Sequence, residues 1–238
     1  MSEPTLTDTI AANLAVVRAR IERAAARSGR PPSDVRLIAI SKTFGPDYVR
    51  AAFAAGQADF GENRVQEALT KISATSNLPL HWHLVGHLQS NKARKAVGPF
   101  ACVQSVDSLD LLRRLDDIAA AQHRAVDVLV QVDLAGEATK FGVPVSEVGP
   151  LIDVASALRF ARVVGLMLLP PLFEDPEETR PYFRRLRALR DTLTERAGSS
   201  LPLRELSMGM SHDFEIAIEE GATMIRVGTA IFGARPGG

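Results

Sequence analysis

Lys42 closes an apolar run in which Val35, Leu37, Ile38, Ala39 and Ile40 have the composition of a parallel strand buried on both faces. Ser41, Lys42 and Thr43 follow, and Gly45-Pro46 turns the chain away. An amine at the mouth of a buried strand loses water on one side. That lowers its pKa and suits it to Schiff-base chemistry with a carbonyl. A lysine that only snorkels to the rim of a sheet has the same local sequence. Two later segments bear on the choice. Ser207-Met208-Gly209-Met210-Ser211 precedes a helix, and Arg226-Val227-Gly228-Thr229 precedes a shorter one. Glycines allow close backbone approach, helix starts offer unpaired N–H groups, and Ser211 and Thr229 add hydroxyls, so together the two loops make a phosphate cradle. Read singly, Gly209 and Gly228 are turn residues and Ser211 an N-cap. A strand-end lysine beside a phosphate cradle selects a phosphate-bearing aldehyde, and pyridoxal 5'-phosphate (PLP) is the cofactor that fits. Arg226 is placed to face its pyridine nitrogen, where a permanent positive charge disfavours protonating the ring. A structural arginine in a strand-end ion pair is the competing reading.

The elements that must position these groups alternate. After a helix from Leu6 to about Arg27, with Ile10, Leu14, Val17 and Ile21 on one face, the Lys42 strand leads to a helix over 47–55. Strands at 58–60, 81–85 and 100–105 are each followed by a helical segment, at 64–73, 90–97 and 109–121. The second half repeats the pattern, with strands at 126–132, 162–169, 205–208 and 224–227 and helices at 146–157, 177–196 and 212–220. Eight such units predict an α/β fold, a single (β/α)8 TIM barrel with an extra N-terminal helix, spanning 1–238 as one domain. The first strand-to-helix turn lacks the glycine fingerprint of a doubly wound sheet. A barrel puts its chemistry at the C-terminal strand ends. Those ends supply Lys42, Asn63 after the second strand, His83 near the end of the third, and the two loops that carry Met210, Ser211, Arg226, Gly228 and Thr229.

Composition excludes several classes. In 238 residues, 28 Lys+Arg balance 28 Asp+Glu, so no basic excess marks a nucleic-acid or acidic-membrane partner. The single cysteine, Cys102, precludes an internal disulfide and fits a reducing compartment. The N-terminus has neither the basic nor the apolar region of a secretory signal, and the longest apolar run, 163–173, is too short for a span and contains Pro170-Pro171. A cytoplasmic protein is expected, and a monomer, since no long exposed apolar face is evident.

From about Leu37 to Arg235 the sequence resembles the pyridoxal phosphate homeostasis proteins. The resemblance is carried by AISKT at 39–43, FGENRVQE at 60–67, WHLVGHLQSNK at 82–92, GEATKFGV at 136–143, GLMLLP at 165–170, LSMGMSHDFEIAI at 206–218 and RVGTAIFGAR at 226–235. It implies a fold-type-III barrel akin to the N-terminal domain of alanine racemase, with PLP on Lys42. It places Asn63, Ser211, Gly228 and Thr229 around the cofactor, with Arg226 at the ring nitrogen. It further implies a protein that holds PLP and hands it on, to PLP-dependent apoenzymes among others, without established catalysis.

Two other readings compete. A PLP-dependent racemase needs a second acid/base opposite the lysine. In alanine racemase a further β domain supplies a tyrosine, whereas this sequence ends nine residues after Thr229 and has only Tyr48 and Tyr182. A metal-dependent hydrolase would use His81 and His83, two apart on one strand and so on one face, but a zinc site needs three or four ligands. Arg180, Arg184, Arg185, Arg187 and Arg190 read as the solvated side of an amphipathic helix. Lys140 either steers anions toward the pocket or is simply solvated.

Overall fold

The computed structural model describes residues 4–136, 141–197, 201 and 203–234, so Lys140 and Arg235 lie outside the described residues. Helix α1 (Leu6–Arg27) starts on a reciprocal cap. The Thr5 hydroxyl accepts from Asp8 N–H at 3.2 Å, and the Asp8 carboxylate accepts from Thr5 N–H at 3.1 Å. Its buried stripe of Ile10, Leu14, Val17 and Ile21 repeats at helical spacing and packs on the outside of the barrel against α2 (Pro46–Ala54) and α8 (Phe214–Glu219). Burial of each such side chain contributes about 2 kcal/mol.

Eight parallel strands follow: β1 (Arg36–Ile40), β2 (Asp59–Glu62), β3 (His81–Leu84), β4 (Cys102–Val106), β5 (Val126–Asp133), β6 (Ala161–Met167), β7 (Glu205–Ser207) and β8 (Met224–Val227). Each pairs with its sequence neighbours, β1 also pairs with β8, and the β4–β5 pairing completes the ring. This is the closed (β/α)8 barrel that the alternation predicts, with α1 outside it. A two-residue strand, Val143–Pro144, adds to the end of β5. The expected third helix is reduced to a 3-10 turn (Ser90–Lys92) and one α-helical turn, α4 (Ala93–Ala96), and β2 runs two residues further than its apolar signal, through Gly61 to Glu62. Helices α3 (Val65–Ala74), α5 (Leu109–Ala121), α6 (Val145–Ala155), α7 (Arg180–Ala197) and the short α9 (Thr229–Phe232) complete the order. No helix among the described residues is long and apolar enough to cross a membrane.

Side chains alternate across the strands, so Leu37 and Ala39 join the core shared with the helices while Ile38 and Ile40 point inward. The interior cluster, with Val85, Cys102, Leu129, Met167 and Met224, is small. Beside it lie buried polar groups, His83, Gln104, Ser207 and Arg226, each less than a twentieth exposed.

The arginine-rich face of α7 departs from its expected solvated state. Arg180 pairs with Glu177 at 2.6 Å, Glu219 at 2.9 Å and Glu220 at 2.8 Å, and Arg184 and Arg187 also reach Glu220. Glu177 is only three residues from Arg180, but Glu219 and Glu220 sit at the end of α8, far away in sequence, which is why the periodicity of α7 alone did not reveal them. For Glu219 and Glu220, burial works to raise the pKa, but the arginine hydrogen bonds outweigh it and hold both carboxyls below their usual range. A depressed carboxyl stabilises the fold above its unfolded pKa, and that contribution disappears as pH falls through the folded value. Arg180→Gln is therefore expected to lower urea resistance at neutral pH, with the gap to wild type closing in acid; a gap independent of pH would contradict this assignment.

Candidate functional site

The turn that carries Lys42 is fixed from below. Phe44 N–H donates to the Ser41 carbonyl at 3.1 Å and closes a four-residue turn with Lys42 in its second position. Thr43, in the third, has φ +71, a left-handed conformation uncommon for a non-glycine residue, and its N–H donates to Glu67 Oε1 at 2.7 Å. Lys71, on α3 with its side chain 5% exposed, donates to the Ser41 carbonyl at 2.7 Å, to Glu62 Oε1 at 2.6 Å and to Glu67 Oε1 at 2.8 Å. The Ser41 hydroxyl donates to the same Glu62 oxygen at 2.6 Å. Glu62 is fully buried and its Oε2 has no hydrogen-bond partner. Burial pushes its carboxyl above the usual range, against the hydrogen bonds from Lys71 and Ser41. The Glu67/Lys71 spacing of four on one helix was the sequence signal for this cluster, and the site reading missed it.

Lys42 lies at the C-terminal mouth of the barrel, on the wall of a cavity of about 510 Å³. Asn63, Met210, Ser211, Arg226, Gly228 and Thr229 line the same cavity, so seven of the eight sequence candidates converge. His83 does not. It sits two residues before Val85, which lines the cavity, and with a rise of about 3.3 Å per residue that places it a layer deeper in the barrel. There it faces the opposite mouth, in a cavity with Asp59, His81 and Cys102, with Nε2 3.1 Å from Asp59 Oδ1. His83 therefore does not line the cavity that the other seven candidates share. No group of three or more metal-ligating side chains forms among the described residues.

The two C-terminal loops are joined. Gly228 N–H donates to Ser211 Oγ at 3.3 Å, and Arg226 N–H donates to the Gly209 carbonyl at 3.0 Å. Gly209 has φ +92, and a Cβ there would lie 2.5 Å from Ala217 Cβ, so only glycine fits. Met210 N–H is held by Asp213 Oδ1 at 2.6 Å. Among the described residues, the N–H groups of Ser211, Thr229 and Ala230 have no protein partner, so they are left to a ligand or water. Arg226 is buried, with one guanidinium nitrogen donating to Ser207 Oγ at 2.6 Å and another to the Leu168 carbonyl at 2.8 Å. Burial pulls its pKa down to about 10, with Asp213 acting the other way, so the guanidinium stays charged at neutral pH.

The sequence reading passed over the rest of the wall. Ile40, Val85 and Leu169 make it apolar; Gly86 brings β3's exit against β2's, since a Cβ there would meet the Asn63 carbonyl at 2.3 Å. His87 hydrogen-bonds Asp107 at 2.9 Å and stacks on Phe141 with centroids 3.7 Å apart. These contacts depend on tertiary approach of loops and leave no local motif. Lys42, Arg226, His87 and His212 line the cavity with no carboxylate among the lining residues. An amine, a buried cation and converging amide and hydroxyl donors suit a phosphate-bearing carbonyl compound.

Known proteins share this sequence pattern and this fold. The family model described as "Alanine racemase, N-terminal domain" matches residues 12–236. A protein of Aquifex aeolicus named "Pyridoxal phosphate homeostasis protein" is 43% identical over 222 residues, covering 93% of this chain and 96% of that one. The protein of the same name from Escherichia coli K12 is 40% identical over 232 residues, covering 95% and 97%. PipY of Synechococcus elongatus, solved with PLP bound, superposes with a TM-score of 0.84 at 44% identity, covering 94% of this chain and 100% of PipY. D-threonine aldolase from Filomicrobium marinum, at 17% identity and a TM-score of 0.74, shares the fold. The chain belongs to the pyridoxal phosphate homeostasis protein family, within the wider family of the alanine racemase N-terminal domain.

Proposed function

We propose that this protein binds PLP in the strand-end cavity, holds it as a Schiff base on Lys42, and passes it to PLP-dependent apoenzymes, so keeping the vitamin B6 pool in balance. The observation that carries this reading is the convergence of Lys42 with the Ser211 and Gly228–Thr229 loops on one cavity whose lining has no carboxylate. The phosphate would sit against the unpartnered N–H groups of Ser211, Thr229 and Ala230 and the Thr229 hydroxyl. Arg226 would stand at the ring nitrogen and keep it unprotonated, while Asn63 and Met210 border the ring. Bound PLP acts as an electron sink in enzymes; a fixed cation at its nitrogen weakens that property and suits storage better than turnover. Tyr48 packs on Phe44 and Phe232, and Tyr182 on Phe173, and neither lines the cavity to serve as the second acid/base of a racemase. The protein works as a monomeric holder in the cytoplasm.

Hand-over has a kinetic signature. Mixing the PLP-loaded protein with a PLP-dependent apoenzyme is expected to regenerate the enzyme faster than PLP leaves the protein for a small-molecule aldehyde trap. Equal rates with and without the acceptor would reduce the role to storage by release into solution.

A further inference from the structure

A hydrogen-bonded chain crosses the barrel interior from Arg226 to the far mouth. Arg226 can only donate, so Ser207 Oγ accepts from it at 2.6 Å. The Ser207 hydroxyl then spends its one proton on Gln104 Oε1, also at 2.6 Å. That orients the amide so that Gln104 Nε2, a donor, meets His83 Nδ1 at 3.2 Å. Nδ1 must accept, which puts the imidazole proton on Nε2, facing Asp59 Oδ1 at 3.1 Å. Every bond points the same way, from a buried guanidinium at one mouth to a carboxylate at the other. Gln104 and Ser207 are fully buried and His83 is nearly so, whereas Asp59 keeps contact with solvent. Its other neighbours at that mouth are His81, with Nδ1 3.7 Å from the same oxygen, and the charged residues Arg36, Asp127, Arg204 and Glu205.

Resting on the PLP reading above, we propose that Gln104 and His83 are positioning residues for the cofactor: through Ser207 they fix where the Arg226 guanidinium stands behind the pyridine ring, and Asp59 anchors them. A barrel interior filled for stability alone would use apolar side chains here, as the Ile38, Leu129 and Met167 cluster does. Three uncharged or neutral polar side chains in a directed line keep one hydroxyl pointing away from Arg226 and its lone pairs toward it. If His83 took a second proton, Nδ1 would become a donor and Gln104 would have to turn over, directing its NH2 at Ser207 and displacing that hydroxyl proton.

The test uses the PLP-loaded full chain and two variants, Gln104→Leu and Asp59→Ala, the second lying at the exposed end so that it keeps the test alive should the first not fold. Two readouts are taken: the nitrogen NMR shift of ring-labelled PLP and the PLP dissociation constant. Gln104→Leu is expected to move the ring nitrogen shift and to weaken PLP about tenfold. Asp59→Ala is expected to move the shift in the same direction by less, although it touches no part of the cofactor cavity. Wild-type shifts in both variants overturn the relay, whatever happens to their melting temperatures. Borohydride-stable PLP on wild-type Lys42 is checked in parallel: its absence removes the cofactor reading and the relay with it, while its presence beside unmoved variants overturns the relay alone.

Discussion

Lys71→Met is expected to lower the unfolding free energy by about 3–5 kcal/mol, the cost of breaking a buried ion pair by removing one partner. Lys71 supplies all three of its N–H donors to oxygens, and without it Glu62 and Glu67 face each other with no cation between them. For a chain of this size that loss corresponds to a fall in melting temperature of roughly 10 °C. The same change frees the Ser41 carbonyl, so the turn that presents Lys42 loses its lower clamp and PLP retention falls as well. The double variant Glu62→Gln/Lys71→Met removes the buried charge together with its partner and should recover a large part of the stability. Thermal unfolding of the two variants checks the assignment; equal losses in single and double variants would show that Lys71 matters through packing alone.

Lys42→Ala has the largest expected effect on ligand binding and a small one on the fold, because the turn is closed by backbone groups and by Lys71. A ligand that binds only the folded state stabilises it by about 2.7 kcal/mol at about 100 times its dissociation constant. Wild-type protein should gain that much from PLP, and the variant at the same concentration should gain little, since the phosphate loops alone hold the cofactor weakly. Melting curves with and without PLP report this directly. An undiminished thermal shift in the variant would mean that the phosphate cradle, and not the amine, provides the affinity.

The parts of this molecule that were legible in its sequence are those set by local pattern. The near-continuous apolar run before Lys42 reads as a buried parallel strand, eight alternations give the barrel, and the barrel in turn tells which residues stand at the active mouth. Six of the seven candidates that meet there lie just beyond the end of a strand, and Arg226, the penultimate residue of β8, also lines the cavity. His83 holds the same penultimate place in β3 as Arg226 does in β8, but its imidazole faces the opposite mouth, against Asp59 at 3.1 Å, and only the longer arginine lines the cavity. What stayed hidden depends on contacts between distant segments. Lys71 lies nine residues from Glu62 and thirty from Ser41, and Arg180, Arg184 and Arg187 of α7 reach Glu219 or Glu220 at the end of α8. The relay from Arg226 to Asp59 is assembled from five different strands, none of which carries a recognisable signal for it.

Borohydride reduction of the PLP-loaded protein followed by peptide mass mapping tests the central claim most directly. A pyridoxyl adduct on the peptide containing Lys42, absent from Lys42→Ala, is the predicted result. An adduct confined to another lysine, or none after PLP has been added, would contradict it.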